Sequence, residues 1–313
     1  MGSYFIAYKN STIHYCVWGK GLKPLFCFHG YGETAETFAM LENRLGADYT
    51  IIALDMPFHG QTQWHEGLLF TGEDLLEIMG KIQHLCRPPS TPPSPKGGDK
   101  TNNPALQAID NNNNIKDGSS LPPFRGWGHG PGLDTGFSLL GYSMGGRIAL
   151  HLLQTKPELV ERIVLVAPDG LHKNKWYRFA TQNLLGNRLF KYAMYRPQGA
   201  FRFIGLVAKV RLVHPGMMKI VRFYTDDELE RQRLYCRWTT MRKFKPKMVL
   251  VKKNIQQYGV PVRFLFGRFD NIILSSRAEV FKHETNVQVH IIDAGHRLMQ
   301  EKYAPVISTL FYQ

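Results

Sequence analysis

The sequence predicts an α/β fold with a mostly parallel eight-stranded sheet, helices on both faces and an inserted helical lid. Three observations predict it. Short apolar runs of strand length alternate with stretches of helical apolar spacing, which is the pattern of a parallel sheet covered on both sides. The chain has 313 residues, 43% of them hydrophobic, which is enough for one large core. One long segment between two strands is helical and basic.

The eight strands are predicted from the apolar runs in chain order. The first two form a hairpin within residues 3–18. The other six cover residues 22–28, 49–54, 137–142, 162–167, 260–266 and 287–292. Helices are predicted over residues 33–45, 72–86, 147–154 and 275–281, and after residue 296. We therefore expect residues 1–170 and 256–313 to form one core domain.

Two stretches break the alternation of strands and helices. Residues 88–134 are rich in Pro, Gly, Asn and Ser, and such a composition buries too little apolar surface to form a core. We interpret them as a surface insertion in which Trp127 and His129 belong to a glycine-rich loop and not to a site. Residues 171–255 show helical patterns over 176–183, 187–195, 200–213, 215–224 and 226–241, and 225–228 is typical of a capped helix start. We expect this segment to form a lid over the active end of the sheet.

The net charge is concentrated in the predicted lid. Residues 171–255 contain 20 Lys and Arg against 4 Asp and Glu, a net charge of +16, which leaves −2 for the rest of a chain of net charge +14. The lid also has many apolar and aromatic residues, among them Trp176, Tyr177, Phe179, Leu184, Leu185, Phe190, Tyr192, Phe201, Phe203 and Phe223. Such helices bind anionic membrane surfaces, and the charge also suits an acidic carrier protein or an anionic substrate.

An alternative of equal weight is a solvated basic face above an apolar acyl pocket. No nucleic-acid-binding motif is present, so we expect no nucleic-acid partner. The chain has no apolar run of membrane-spanning length, and its first residues do not resemble a signal peptide. Four scattered cysteines, Cys16, Cys27, Cys86 and Cys236, predict neither disulfides nor a zinc site. We expect a cytoplasmic protein without metal or cofactor, with peripheral attachment to membranes through the lid as the alternative.

A candidate nucleophile lies between the strand 137–142 and the helix that follows it. Gly141, Ser143 and Gly145 form the pattern Gly-x-Ser-x-Gly at this sharp turn. The turn needs glycines because larger side chains two residues before and after the serine would collide. The helix start then points N–H groups at an incoming oxygen. The pattern alone also occurs by chance, but its strand–turn–helix context predicts that Ser143 is a nucleophile.

A serine nucleophile needs a base, and the base needs an acid that orients it. Asp270 follows the strand 260–266, and His296 follows the strand 287–292. Because the carboxyl ends of parallel strands share one edge of the sheet, these residues and Ser143 can converge there. Asp169 also follows a strand end and is a rival acid, whereas Asp293 is better placed to shape the turn before His296.

The tetrahedral intermediate of acyl transfer needs two hydrogen-bond donors for its oxyanion. The backbone N–H of Met144, at the start of the helix after Ser143, is the first candidate. The second is expected in the loop after the third strand, where the sequence His29-Gly30-Tyr31-Gly32 favours the N–H of Tyr31.

The chain resembles the α/β-hydrolase superfamily, and within it the lidded, cofactor-free serine hydrolases similar to esterases and lipases. The matching segments are 29–32, 55–60, 141–146, 267–270 and 295–296, within residues 3–87, 135–170 and 256–313. The resemblance implies Ser143 as nucleophile, His296 as base and Asp270 as acid. It also implies Tyr31 and Met144 as oxyanion donors. The serine disfavours the dehalogenase and epoxide-hydrolase branches, which use aspartate, and the insertion 88–134 departs from the family pattern.

These residues favour hydrolysis of a carboxylic ester or thioester of a small-molecule apolar acyl substrate through an acyl-Ser143 intermediate. Two other reactions use a similar triad: hydrolysis of a C–C bond in a β-diketone, and acyl transfer to an acceptor other than water. A ligand-binding receptor on the same fold is the non-enzymatic alternative.

Overall fold

The computed structural model describes residues 2–86, 107–109, 115–117, 136–172, 174–196 and 227–313. The strands in these residues are β1 Gly2–Tyr8, β2 Ser11–Trp18, β3 Lys23–Phe28, β4 Tyr49–Leu54, β5 Gln107–Ile109, β6 Ile115–Asp117, β7 Phe137–Tyr142, β8 Val160–Val166, β9 Val262–Gly267 and β10 Val287–Ile292. Eight of them form one sheet in the order β1-β2-β4-β3-β7-β8-β9-β10. β2 pairs antiparallel with β1 and β4, and every other pair is parallel. The predicted eight-stranded, mostly parallel sheet is confirmed.

The centre of the sheet is buried on both faces, which explains its near-continuous apolar runs. Every residue of β4, β7 and β9 is buried. The edge strand β10 is different, because its six residues are all exposed or half-buried. The core therefore lies around β3, β4, β7, β8 and β9, and the carboxyl ends of these strands share one edge.

The described residues contain eight α-helices. They are α1 Glu42–Leu45, α2 Gly72–Leu85, α3 Met144–Thr155, α4 Lys175–Gln182, α5 Leu184–Tyr195, α6 Glu228–Thr240, α7 Met248–Tyr258 and α8 Ala304–Thr309. Shorter 3₁₀ segments cover Ala35–Leu41, Pro157–Leu159, Met241–Lys243, Ser275–Phe281 and Glu301–Tyr303. Two predicted helices, 33–45 and 275–281, thus consist wholly or mainly of 3₁₀ turns, whose apolar spacing is hard to distinguish from that of an α-helix. No helix in the described part of the chain is long and apolar enough to cross a membrane.

The described chain divides into two compact units. Unit 1 comprises Met1–His65, Gly72–His172 and Phe244–Gln313, and unit 2 comprises Glu66–Thr71 and Lys173–Lys243. The predicted lid covers residues 171–255, whereas residues 244–255, with most of α7, belong to unit 1. In α7, Asn254 donates from Nδ2 to the carbonyls of Leu153 and Gln154 at 3.0 and 2.9 Å. That unit 2 is a lid over the active end stays a prediction.

Unit 2 is a helical cluster held together by aromatic contacts. The rings of Tyr177 and Trp238 are 5.3 Å apart, and those of Phe190 and Tyr235 are 5.6 Å apart. The predicted helix start near 226 is present, because Asp227 accepts a hydrogen bond from the N–H of Leu229 at 2.7 Å and caps α6. The helices predicted over 200–213 and 215–224, with Phe201, Phe203 and Phe223, lie outside the described residues.

Most of the insertion 88–134, including Trp127 and His129, also lies outside the described residues. Its described part is a small antiparallel pair, β5 with β6. The four cysteines form no disulfide, and Cys16, Cys27 and Cys86 are buried.

Candidate active site

The turn between β7 and α3 holds Ser143 in a strained backbone conformation. Its φ is 49° and its ψ is −112°, a region that residues other than glycine rarely adopt. Neighbouring backbone fixes the turn from both sides. The Ser143 N–H donates to the carbonyl of Val166 at 3.0 Å, and the Ser143 carbonyl accepts from the N–H of Asp169 at 2.8 Å. The side chain of Ser143 caps nothing in α3, so its hydroxyl is available for other contacts.

Three glycines make this turn possible because neighbouring atoms occupy the space of a side chain. A Cβ at Gly145 would lie 1.8 Å from the carbonyl oxygen of Phe28, the last residue of β3. A Cβ at Gly141 would lie 2.6 Å from the Gly145 carbonyl oxygen, and one at Gly146 would lie 2.3 Å from Pro168. The start of α3 therefore packs directly against the ends of β3 and β8.

Ser143, His296 and Asp270 form a continuous hydrogen-bonded chain. His296 Nε2 lies 3.1 Å from Ser143 Oγ, and His296 Nδ1 lies 2.7 Å from Asp270 Oδ2. The other Asp270 oxygen accepts from the backbone N–H groups of Ile272 and Ile273 at 2.8 and 2.9 Å. A carboxylate that accepts from Nδ1–H leaves Nε2 unprotonated, which is the tautomer that can take a proton from a hydroxyl.

The electrostatics keep Asp270 charged. Its side chain is fully buried, and burial by itself raises the pKa of a carboxyl group. The hydrogen bonds from His296 and from the N–H groups of Ile273 and Ile272 outweigh burial, so the pKa of Asp270 is lowered below its usual value. The carboxylate is therefore ionised at neutral pH and can stabilise an imidazolium at His296.

The two rival acids have other partners. Asp169 lies 3.6 Å from the guanidinium of Arg147, and its N–H belongs to the Ser143 turn. Asp293 accepts from Nε of Arg268 at 2.5 Å on the surface. Of the three aspartates considered, the one in contact with the His296 ring is Asp270.

The candidate oxyanion donors lie on the two segments that border Ser143. Met144 is the first residue of α3, so its N–H has no acceptor within the helix. Tyr31 follows Gly30 in the loop after β3. A Cβ at Gly30 would lie 3.0 Å from the ring of Tyr142, which directly precedes Ser143. Both candidate donors thus come from segments that flank the serine, and their roles stay predictions.

His29 orders the loop that contains Tyr31, a contact that the sequence did not predict. Its Nδ1 lies 2.7 Å from the Gly30 carbonyl, and its Nε2 accepts from the N–H of Met56 at 3.1 Å. Because a carbonyl can only accept, the proton must be on Nδ1, and the ring is neutral. His29 thus ties the loop after β3 to the loop after β4.

Glu33 and Tyr142 are two more side chains near His296 that sequence reasoning missed. The Tyr142 hydroxyl donates to the His296 carbonyl at 3.1 Å. A Glu33 carboxylate oxygen accepts from the Gly30 N–H at 3.2 Å. Burial raises the pKa of Glu33, while the Gly30 N–H and the charges of His296 and Arg297 oppose the rise. A carboxylate three residues after a Gly in such a loop is the signal that could have drawn attention to Glu33.

A second serine–histidine–aspartate chain lies at the edge of the sheet. Ser3 Oγ is 2.8 Å from His14 Nε2, and His14 Nδ1 is 2.6 Å from Asp55 Oδ2. Asp55 also accepts from the N–H groups of Ala35 at 2.6 Å and Gln61 at 2.8 Å. Ser3 lies within the regular strand β1 and not at the start of a helix, so no helical N–H groups are presented to it. We interpret this chain as structural, since it joins β1, β2 and the loops after β3 and β4.

Among the described residues, no group of three or more His, Cys, Asp or Glu could hold a metal ion.

A sequence profile described as the Alpha/beta hydrolase family matches residues 25–309. The uncharacterized hydrolase YugF of Bacillus subtilis (strain 168) is 26% identical over 154 residues, which are 49% of this chain and 39% of that relative. The match therefore spans well under half of YugF.

Solved structures with a similar fold include a thermophilic esterase from Thermogutta terrifontis, with a TM-score of 0.60 and 16% identity over 99% of this chain and 96% of that one. A thioesterase domain from the curacin biosynthetic pathway has a TM-score of 0.55 and 14% identity over 99% of both chains. At these identities the likeness shows the fold.

Proposed function

The chain belongs to the alpha/beta hydrolase family, and we propose that it is a serine hydrolase that cleaves a carboxylic ester or thioester of an apolar acyl group. One observation carries the proposal: the hydroxyl of Ser143, the ring of His296 and the carboxylate of Asp270 are joined by contacts of 3.1 and 2.7 Å. The strained turn that carries the half-buried serine supports the same conclusion.

In the proposed acylation step, Ser143 Oγ attacks the carbonyl carbon of the substrate while His296 Nε2 takes the hydroxyl proton. The carbonyl π electrons move to the oxygen, which becomes an oxyanion and accepts from the N–H groups of Tyr31 and Met144. The Asp270 carboxylate holds Nδ1–H and stabilises the imidazolium. When the tetrahedral intermediate collapses, Nε2–H protonates the leaving alcohol or thiol, and acyl-Ser143 remains.

The proposed deacylation step repeats this chemistry with water. His296 Nε2 takes a proton from the water as its oxygen attacks the acyl carbon. The second tetrahedral intermediate collapses, and Ser143 Oγ recovers its proton from Nε2. The products are a carboxylic acid and the free alcohol or thiol, and water is the co-substrate.

The ester or thioester class is supported by the fold likeness to an esterase and to a thioesterase domain.

The four cysteines, of which three are buried thiols, suit a reducing compartment, and we therefore propose the cytoplasm as the location.

A fluorophosphonate probe tests the nucleophile, because such a probe bonds covalently to an activated serine. We expect the wild-type chain to be labelled and Ser143→Ala not to be. Ser3→Ala is the matched control, because Ser3 also contacts a histidine that is paired with an aspartate. Labelling that persists in Ser143→Ala, or a folded wild type that is never labelled, would contradict the proposal.

The substrate class needs a second assay. We expect turnover of p-nitrophenyl esters or acyl thioesters across an acyl chain-length series, with loss of turnover in Ser143→Ala. Cleavage of β-diketones without any cleavage of esters or thioesters would instead support the C–C hydrolase alternative.

A further inference from the structure

The hairpin formed by α4 and α5 has two different faces. The inner face packs within unit 2. Tyr177 donates its hydroxyl to the carbonyl of Trp238 at 3.2 Å, and Asn187 donates to Thr239 Oγ1 at 3.1 Å. In α5 the residues on this side are Asn187, Phe190 and Met194, which recur at helical spacing.

The outer face of α5 exposes large apolar side chains. Leu185, Leu189 and Tyr192 are spaced by four and three residues, and their exposed fractions are 64%, 51% and 53%. Trp176 in α4 is 61% exposed. Scattered apolar residues on a surface are ordinary, but a contiguous group at helical spacing indicates a binding face.

The charge of the hairpin is of one sign. Residues 174–196 contain five cations and no Asp or Glu. The cations are Lys175, Arg178, Arg188, Lys191 and Arg196. Arg188 lies three residues after Leu185 and four before Tyr192, so it shares the outer face with them. The apolar face thus carries positive charge within it and at its border.

We propose that this outer face binds the anionic surface of a phospholipid membrane. Leucine and tryptophan side chains enter the boundary between headgroups and acyl chains, while arginine and lysine contact the lipid phosphates. Tyr192 and Trp176 are the residue types that favour this boundary. An acidic protein surface would use the cations but would leave the leucine side chains in water, so the membrane is the occupant that uses both features.

Vesicle co-sedimentation of the full chain tests this proposal. We expect binding to vesicles of phosphatidylcholine mixed with phosphatidylserine, weak binding to pure phosphatidylcholine, and a loss of binding as salt is raised. Arg188→Glu/Lys191→Glu and, separately, Leu185→Ser/Leu189→Ser should each weaken binding by more than about tenfold. The emission of Trp176, taken as the difference from Trp176→Phe, should shift to the blue with vesicles.

The matched control is Val249→Ser/Leu250→Ser in α7, where two apolar side chains are exposed in unit 1. We expect its vesicle binding to equal that of the wild type. Equal binding to both vesicle types, or hairpin variants that bind as well as the wild type, would overturn the proposal. An absence of vesicle binding would also overturn the proposal, including the case in which the hairpin binds polyglutamate or a second copy of the chain.

This proposal does not rest on the chemistry at Ser143. Ser143→Ala should bind vesicles like the wild type, and the hairpin variants should retain fluorophosphonate labelling without vesicles. A failure of one proposal is therefore distinguishable from a failure of the other.

Discussion

Replacing Asp270 with asparagine removes the negative charge and turns one carboxylate oxygen into an amide NH₂, while the shape of the side chain stays nearly the same. In Asp270→Asn, the amide oxygen can still accept from the N–H groups of Ile272 and Ile273, which donate at 2.8 and 2.9 Å. The amide NH₂ then faces His296 Nδ1, which is 2.7 Å from the carboxylate in the native protein. Because an amide NH₂ only donates, Nδ1 must become the acceptor, and the ring proton moves to Nε2.

The wrong tautomer is costly for catalysis. Nε2–H would point at the Ser143 hydroxyl, 3.1 Å away, and could not take its proton. We expect kcat to fall by about 10³- to 10⁴-fold, or about 4 to 5.5 kcal/mol, as in other triads with this change. The measurement is steady-state hydrolysis of the best p-nitrophenyl ester, together with the rate of fluorophosphonate labelling. Circular dichroism checks that the variant is folded.

Asp293→Asn is the matched control, because it removes a carboxylate from a surface ion pair with Arg268 and leaves His296 untouched. We expect its kcat to stay within about twofold of the wild type. If Asp270→Asn lost less than about tenfold, the orienting role would be refuted. If Asp169→Asn instead showed the large loss, the acid would be the rival residue.

Three further predictions concern folding and pH. Gly145→Ala should lower the free energy of unfolding by about 3 kcal/mol or more, because its methyl group would collide with backbone, whereas Gly295→Ala, with nothing within 4 Å, should change it by less than about 1 kcal/mol in urea titrations. Burial raises the pKa of Asp55, but the hydrogen bonds from His14 and from two backbone N–H groups lower it by a larger amount. The net pKa of Asp55 therefore lies below the unfolded value. Its contribution to stability is therefore complete above an unfolded pKa of about 4 and is lost as the pH falls through the lowered value; urea midpoints measured against pH should show this loss, and Asp55→Asn should reduce the slope. Burial raises the pKa of Glu33 above its unfolded value, so ionisation of Glu33 lowers stability as the pH rises through that range; Glu33→Gln should remove this loss from urea midpoints measured against pH, and an unchanged pH dependence would contradict the assignment.

The sheet and the positions of the candidate site residues were predictable because they depend on local patterns. β4, β7 and β9 are buried on both faces, so their sequences are apolar without alternation. Ser143, Asp270 and His296 each follow a strand, and a parallel sheet brings such positions to one edge. The structure brings the three within hydrogen-bond distance, and their catalytic roles stay predictions.

The contacts that support the site were not predictable because they depend on the paths of loops. His29 meets Met56, and Asp55 meets His14, across 27 and 41 residues of sequence. No spacing rule relates such pairs, since strand order and loop shape decide them. The contacts of α7 with unit 1 likewise include the amide of Asn254, whose partners are about a hundred residues away.

The backbone at residue 143 is anchored by Val166 on one side and Asp169 on the other, and its own side chain makes no capping hydrogen bond to α3. The shape of the turn at residue 143 is therefore independent of the side chain that the turn carries. A thiol or a carboxylate at residue 143 would lie in the same position relative to His296 and to the start of α3. A substitution at this position therefore changes the side chain that faces His296 and leaves the backbone hydrogen bonds of the turn in place.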